Sequence, residues 1–386
     1  MRATRERPTA VADTNDTNDS AAKNAAPHAR AGGAGADDPR RERFTAHEIA
    51  QVLSHYDLGV ISAIREYRRG SRRAAKLKLV SERGEHLLKR RASGRIAERE
   101  RDRAAASHRL QQIAAKAGVP VATLVPLRTG GTLLELDGRL YELFSWIPGT
   151  RFARHAEQAR AAGIALSRLH GAFAGLELLD ELPLGGFSAF ASVRTTLRQA
   201  LERASDGASA DAVVSLHASI DGMLTHLDRV ESKLAAKGLA MQRTAICHGD
   251  FHPGNTLWSG DVLAAVIDFD SARHESIAAE IANAMLQFSI RQRLGENPLA
   301  WPVGLDPENL RSFATGYAAA PAIELAEIAP LVPWLMMSAI MAEAASPIAR
   351  DGDFAGIPAE PFLKASLNLI DWISQRTRAV AAVLGD

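Results

Sequence analysis

"AICHGDFHPGNTLW" (245–258) and "AAVIDFDSARHE" (264–275) are separated only by residues 259–263. The first packs His248, Asp250, His252 and Asn255 into eight residues, and the second sets Asp268 and Asp270 at the end of an apolar run. A core has no use for such a density of carboxylates and imidazoles. A site that binds metal and activates a hydroxyl does. Apolar "AVI" runs into "DFD", and "NTLW" precedes the turn "SGD", so the spacing predicts a short hairpin. That hairpin would carry Asn255 and Asp268 on neighbouring strand ends.

The residue types suit phosphoryl chemistry. A carboxylate at Asp250 can accept or orient the proton of a substrate hydroxyl. The amide carbonyl of Asn255 and the carboxylate of Asp268 are hard oxygen ligands of the kind Mg²⁺ takes, with phosphates and water completing its shell. Two such ligands and a separate base are what metal-assisted phosphoryl transfer requires. D-x-x-x-x-N followed by D-F-x is a spacing shared with protein kinases. Zinc hydrolysis is the rival for a His/Asp cluster, but the order H-E-x-x-H is absent and Pro253–Gly254 opposes a helix there. Hydrogen-bonded bracing of the loop is the other role open to His248 and His252. Asp270 is compatible either with a metal contact or with a cap for the segment beginning at Ser271.

The chain of 386 residues is long enough for two domains. Apolar residues make up 46% and charged residues 24%, as in a folded soluble protein, and a net charge of +1 gives no general case for a nucleic-acid partner. Cys247 is the only cysteine, which excludes a disulfide scaffold and suits a reducing cytoplasm. Residues 1–43 mix Ala, Asp, Thr, Asn, Gly and Arg, with too few large apolar groups to offset the entropy of ordering them, so a disordered tail is expected. The apolar stretch 328–342 falls short of a membrane span and reads as a buried helix, with no membrane partner expected.

The rest of the chain divides by texture. "FTAHEIAQVLSHYDL" from Phe44 has a capping-box pattern, Thr45 with Glu48, feeding an amphipathic helix. Residues 63–91 read as strand, turn, strand, turn, strand, with Leu77 and Leu79 alternating with Lys76 and Lys78. A helix follows over about 96–117, and two turns at Gly130–Gly131 and Asp137–Gly138 punctuate further strands. After Gly149 the periodicity is helical: Ala162, Leu166, Leu169 and Phe173 form one stripe, and Leu216, Ile220, Met223 and Leu227 another. The expected fold is α+β and two-lobed, with a small antiparallel-sheet N-lobe over 44–148 and a larger, mostly helical C-lobe over 149–386. Ligands belong in the cleft between the lobes.

"HGDFHPGNTLW…VIDFD", with "LLKRR", "LYELFSWIPG" and "AAGIALSRLHGAF" in the same order, resembles the aminoglycoside phosphotransferase family over roughly 45–385. That broad family includes choline, homoserine and sugar kinases and spore-coat-associated kinase-like proteins. The resemblance implies a protein-kinase-like fold, and transfer of a phosphate from ATP, or GTP, with Mg²⁺ to the hydroxyl of a small molecule. It makes Asp250 the catalytic aspartate, Asn255 and Asp268 the metal ligands, and Lys89 the lysine on the α and β phosphates. Gly70 and Ser71 match the phosphate-covering turn, and the backbone of Glu142, Leu143 and Phe144 matches the interlobe hinge that meets adenine.

Two departures stand out. The family's N-lobe helix supplies a glutamate to the strand lysine, but Ser107 or His108 falls at that place, with Glu98 and Glu100 about two turns too early. In "AAEIANAM", Glu280 replaces the aspartate that braces the catalytic loop. The Glu280 replacement is expected to leave function intact; besides a small-molecule kinase, a kinase-like protein that binds nucleotide or a partner with little or no turnover fits the missing glutamate and the poor match of Gly70 and Ser71 to a Gly-rich loop. A kinase acting on proteins fits less well, because the ending A-P-E is lacking. Residues 321–360 carry six acidic side chains and one arginine, suited to a cationic acceptor or to an ordinary solvated surface.

Overall fold

In the computed structural model of the protein, the described residues are 42–67, 74–91, 98–177, 179–239, 244–291 and 297–384. The tail expected over 1–43 therefore lies almost wholly outside them, as do Gly70 and Ser71.

The N-terminal lobe is built on a five-stranded antiparallel sheet in the order β1-β2-β3-β5-β4. Its strands are β1 Ile61–Glu66, β2 Lys76–Ser81, β3 Gly84–Arg90, β4 Leu133–Leu136 and β5 Arg139–Ser145. Alternation divides the sheet into two chemically different faces. Leu77, Leu79, Leu88, Tyr141 and Leu143 pack with Val52 of helix α1 (Ala46–Ser54) and with Tyr56 just beyond it in a small apolar core. Lys76, Lys89 and Glu142 line the other face, side by side in register.

Helix α1 begins as its capping box requires. Glu48 N donates to Thr45 Oγ1 at 3.1 Å and Thr45 N to Glu48 Oε2 at 3.3 Å. The same Glu48 accepts from Arg90 and Tyr141, each at 2.7 Å, which seats the helix on the sheet. Helix α2 (Glu98–Lys116) separates β3 from β4.

The C-terminal lobe carries α3 (Ala156–Phe173), α4 (Phe190–Ser205), α5 (Ala210–Ala236), α6 (Ile277–Ser289), α7 (Pro307–Ala318), α8 (Leu325–Ile328), α9 (Val332–Asp351), α10 (Ala359–Ser374) and α11 (Thr377–Ala382). Both predicted stripes, on α3 and α5, are buried in one large core. Helix α9 is longer than the apolar stretch suggests. Its 20 residues are long and apolar enough to cross a membrane, but two thirds of its most apolar window is buried inside the protein, and it packs on α4, α6 and α10.

The predicted hairpin is present. Strand β7 (Thr256–Ser259) pairs with β8 (Val262–Val266), with Thr256 opposite Val266, and Ile267 N donates to Asn255 O at 3.0 Å. A second ladder joins β6 (Thr244–Cys247) to β9 (Arg273–Ser276), and a third, not foreseen, joins β10 (Asp353–Phe354) to β11 (Ile357–Pro358). The hairpin is tied to the N-terminal lobe's connections. Thr150 and Trp258 exchange backbone hydrogen bonds, and Val266 N donates to Pro120 O.

Glycines set the spacing of α3 against α7. A Cβ at Gly163 would stand 2.2 Å from Phe313 O, and one at Gly316 would stand 2.0 Å from Arg160 O. Backbone cannot yield as a side-chain tip does. Gly163→Ala should therefore destabilise the protein by about 1–3 kcal/mol. Gly171→Ala on the same helix, where nothing lies within 4 Å, should be neutral or stabilising by about 0.5–1 kcal/mol. Urea midpoints for the two variants check this: a fall in midpoint confined to Gly163→Ala is expected.

Candidate active site

Two loops at the ends of the C-lobe strands present the acidic motifs. After β6 the chain turns at Gly249 (φ +81°), where a Cβ would strike Ser271 O at 2.0 Å. His248, fully buried, braces the turn: its Nδ1 accepts from Asp250 N at 3.3 Å and its Nε2 donates to Ile267 O at 3.2 Å. Burial pushes its pKa down, so it stays the neutral ring that these two bonds require.

His252 does a different task. Its Nδ1 accepts from Gly254 N at 3.0 Å, and its Nε2 stands 3.5 Å from Asp250 Oδ1. The two imidazoles thus serve separate backbone turns, which disfavours the zinc reading.

Glu280 at the start of α6 holds the whole loop. It accepts from His248 N at 3.1 Å and Gly249 N at 2.5 Å, and from His170 Nε2 of α3 at 2.8 Å. Tyr317 of α7 completes the chain by donating to His170 Nδ1 at 2.8 Å. Burial would raise the Glu280 carboxyl, but the His170 hydrogen bond, with the backbone donors of the loop, brings it down to about 2. Among the described residues, His170, Cys247 and Glu280 are close enough together to suggest a metal site. Both ring nitrogens of His170 are already spent, and burial raises the Cys247 thiol far from the thiolate a metal needs. The cluster is a brace beneath the catalytic loop.

Asp250 and Asn255 meet as expected. Asn255 Nδ2 donates to Asp250 O at 2.9 Å and to Asp250 Oδ2 at 2.8 Å. Its carbonyl oxygen is thereby left for a cation. Asp268, at the end of β8, has a left-handed backbone (φ +67°, ψ +67°), an uncommon state for a side-chain-bearing residue. Strain of this kind collects where a side chain must be aimed. Lys89, and behind it burial opposed by Lys76, holds the Asp268 carboxyl below its ordinary range. Asn255 and Asp268 form a hard oxygen set that fits Mg²⁺.

The sheet supplies the cations. Lys89 Nζ lies 2.6 Å from Asp270 Oδ2, 3.1 Å from Glu142 Oε1 and 3.4 Å from Asp268 Oδ1. Burial opposes its charge, but Asp270, Glu142 and Asp268 together push its pKa up. Arg91, two residues on and missed in the sequence, bridges Glu142 Oε2 (3.0 Å) and Asp270 Oδ1 (2.8 Å). Asp270 thus serves as a partner of two N-lobe cations.

Glu142–Phe144 require a correction. They lie inside β5, paired with β3 on one side, while Leu143 O also accepts from Val125 N at 2.8 Å. Their backbone belongs to the sheet, and the interlobe segment begins beyond Ser145. What Glu142 offers is its side chain, which the hinge reading ignored. Glu98 and Glu100 are exposed at the start of α2 and reach no cleft residue. His108 occupies the helix position facing the sheet, and its Nε2 donates to Glu142 Oε2 at 2.7 Å.

A sequence profile described as the phosphotransferase enzyme family matches residues 64–330, from within β1 to just past α8. The homoserine kinase of Allorhizobium ampelinum is 29% identical over 161 residues, 41% of this chain and 44% of that protein. The homoserine kinase of Rhizobium etli is 28% identical over 230 residues, 53% of this chain and 66% of that protein. The matched stretch thus spans less than two thirds of either relative. A crystal structure of a spectinomycin phosphotransferase in complex with ADP and spectinomycin superposes with a TM-score of 0.59 at 12% identity, over 87% of this chain and 98% of that one, a likeness of fold.

Strand alternation separates Lys89 from its neighbour. Arg90 points to the opposite face, onto Glu48 and Glu42 at 2.7 Å each. Lys89→Ala should weaken binding of Mg·ATP sharply. Arg90→Ala should leave that affinity near wild type and lower the melting temperature, because Glu48 would lose its nearer cation and keep only Arg139 at 3.5 Å. Calorimetric titration beside thermal melts checks this, and equal losses of affinity would contradict the assignment of faces.

Proposed function

The chain belongs to the phosphotransferase enzyme family, and from that premise we propose that it moves the γ-phosphate of a nucleoside triphosphate, ATP in our reading, to a hydroxyl of a small molecule. The observation that carries this reading is a convergence on one cleft. Asp250 is held by Asn255 at 2.8 Å, and Asp268 faces Lys89 at 3.4 Å. Residues 44–148 form the nucleotide lobe in this reading, and 149–386 the catalytic and acceptor lobe. A single buried cysteine suits a cytoplasmic enzyme.

The residues divide the work. Asn255 and Asp268 hold Mg²⁺, which when bound supplies charge neutralisation on the transferring phosphate. Lys89 receives the non-transferring phosphates as a compact cation. Asp250, with one oxygen fixed by Asn255, orients the acceptor hydroxyl and takes its proton as the phosphate leaves. Most of the rate comes from holding these groups in line. The alternative of a kinase-like protein without turnover drew on the absence of a helix glutamate, and it loses that support because Glu142 stands 3.1 Å from Lys89 Nζ.

The acceptor carries a positive charge in this reading. Glu343 of α9 is pushed up to about 7 by burial and then by the charge of Asp250, with His252 and Arg273 pulling the other way. A carboxyl so close to its charging point, beside the base, is suited to pairing with an ammonium group. The homoserine kinases among its relatives are one reason to begin an acceptor screen with amino alcohols.

Asp250→Asn should lower turnover by roughly 10²–10⁴ while Mg·ATP affinity stays near wild type. Asp268→Ala should weaken Mg·ATP binding as well. Calorimetry and a phosphate-transfer assay on both variants check this division, and full transfer by Asp250→Asn would end it. The pH dependence gives a separate check. Glu343 is mostly neutral at pH 6 and mostly ionised at pH 8, so the KM for a cationic acceptor should fall about tenfold across that window. Glu343→Gln should raise that KM and flatten its pH profile, leaving the KM for ATP unchanged.

A further inference from the structure

The cation that faces the phosphates needs a partner that stays with it through every step. In protein kinases that partner is a glutamate on the N-lobe helix. Here α2 brings no carboxylate to the cleft. Its two early glutamates are exposed, and at its middle Ser107 Oγ is turned back to Ala104 O at 2.8 Å while His108 is bonded elsewhere.

We propose that Glu142, delivered by β5 rather than by the helix, is the positioning residue for Lys89, with His108 and Arg91 fixing its second oxygen. The inference rests on the kinase reading above and adds a role to it. Four observations carry it. Lys89 and Glu142 are directly opposed in the β3–β5 register, so their side chains share a face and meet as a cross-strand pair. Glu142 is 1% exposed, and a carboxylate buried that deeply persists only beside cations.

The two oxygens of Glu142 are used differently. Oε2 takes His108 at 2.7 Å and Arg91 at 3.0 Å, and so fixes the carboxylate. Oε1 has no hydrogen-bond donor and lies 3.1 Å from Lys89 Nζ, so its tie to the lysine is charge alone. His108 is itself locked, its Nδ1 accepting from Thr132 Oγ1 at 2.8 Å. The network therefore reaches from β5 through α2 to the residue before β4.

The other acids near Lys89 cannot play this part. Asp268 and Asp270 lie on the C-lobe turn after β8, and any relative movement of the lobes carries them away from β3. Glu142 and Lys89 stand opposite one another on neighbouring strands of one sheet and move as one body. Helix α2 is then relieved of the duty of supplying a carboxylate to Lys89, and it touches Glu142 through His108.

The test compares ligands with and without phosphates. Mg·ATP and adenosine are titrated calorimetrically into wild type, Glu142→Gln, and the double variant His108→Glu/Glu142→Gln. Wild type that binds neither ligand would overturn the kinase reading itself, and this inference with it. If wild type binds both, Glu142→Gln should lose roughly 10- to 100-fold in Mg·ATP affinity and keep its adenosine affinity. The double variant returns a carboxylate from the helix side and should regain part of the loss. Equal loss of both ligands, or unchanged Mg·ATP binding, overturns the role of Glu142. Should Glu142→Gln fail to fold, Glu142→Asp decides: it keeps the charge but withdraws it from Lys89, and unchanged Mg·ATP affinity, or an equal loss of adenosine affinity, refutes the proposal.

Discussion

Charge that cannot be left unpaired inside the protein ties the two lobes together. Lys89 of β3 and Arg91 just beyond its end project into an interior that would penalise either of them by several kcal/mol if alone. Glu142 answers from the same sheet, and Asp268 and Asp270 from the opposite lobe. The cluster sits where a phosphate chain would enter. Its cations are already arranged for anionic oxygens, and its acids on the far side include a residue suited to Mg²⁺. The backbone of the hairpin, hydrogen-bonded to Thr150 and Pro120, keeps the two halves of this cluster in register.

Below the cleft a second polar chain does for the catalytic loop what the first does for the lysine. Tyr317, His170 and Glu280 come from α7, α3 and α6, and end on the backbone of His248 and Gly249. A glutamate replaces the expected aspartate here without loss, since its longer arm reaches two backbone donors and an imidazole together. The close approach of α3 to α7 at Gly163 and Gly316 brings His170 and Tyr317 within hydrogen-bond distance. Packing of glycine against backbone in the core thus bears on the geometry of Asp250 through the brace under its loop.

The acceptor side is less symmetrical. Glu343 comes from α9, a helix whose apolar faces hold it in the core against α4, α6 and α10. A half-buried acid on a mostly buried helix costs stability whenever it ionises, unless a cation meets it. Retaining that acid within reach of Asp250, His252 and Arg273 makes sense where a charged ligand supplies the counter-ion.

Local pattern was enough for much of this protein. Alternation in 76–91 separated Leu77 and Leu79 from Lys76 and Lys78, because a strand has a period of two whatever it packs against. Helical stripes on α3 and α5 followed from the 3.6-residue period, and the capping box of α1 from three neighbouring residues. Asp250, Asn255 and Asp268 were legible because they lie within nineteen residues of one another along the chain, in a motif whose chemistry is short-range. Glu142 was not. It was assigned a hinge role by its backbone, and its side chain found its task only when β5 paired with β3 and set it opposite Lys89, 53 positions away in sequence (142 − 89). His170, Tyr317 and Glu343 were missed for the same reason, since nothing near them in sequence marks which distant atom each will meet; Ser107 or His108 was placed at the helix position facing the lysine, but its meeting with Glu142 was not foreseen. Sequence by itself determined most of the elements, the two-lobed α+β class and where the acidic groups gather along the chain. Tertiary structure decided which carboxylate answers which cation, because a buried charge takes whatever partner the packing brings within about 3 Å.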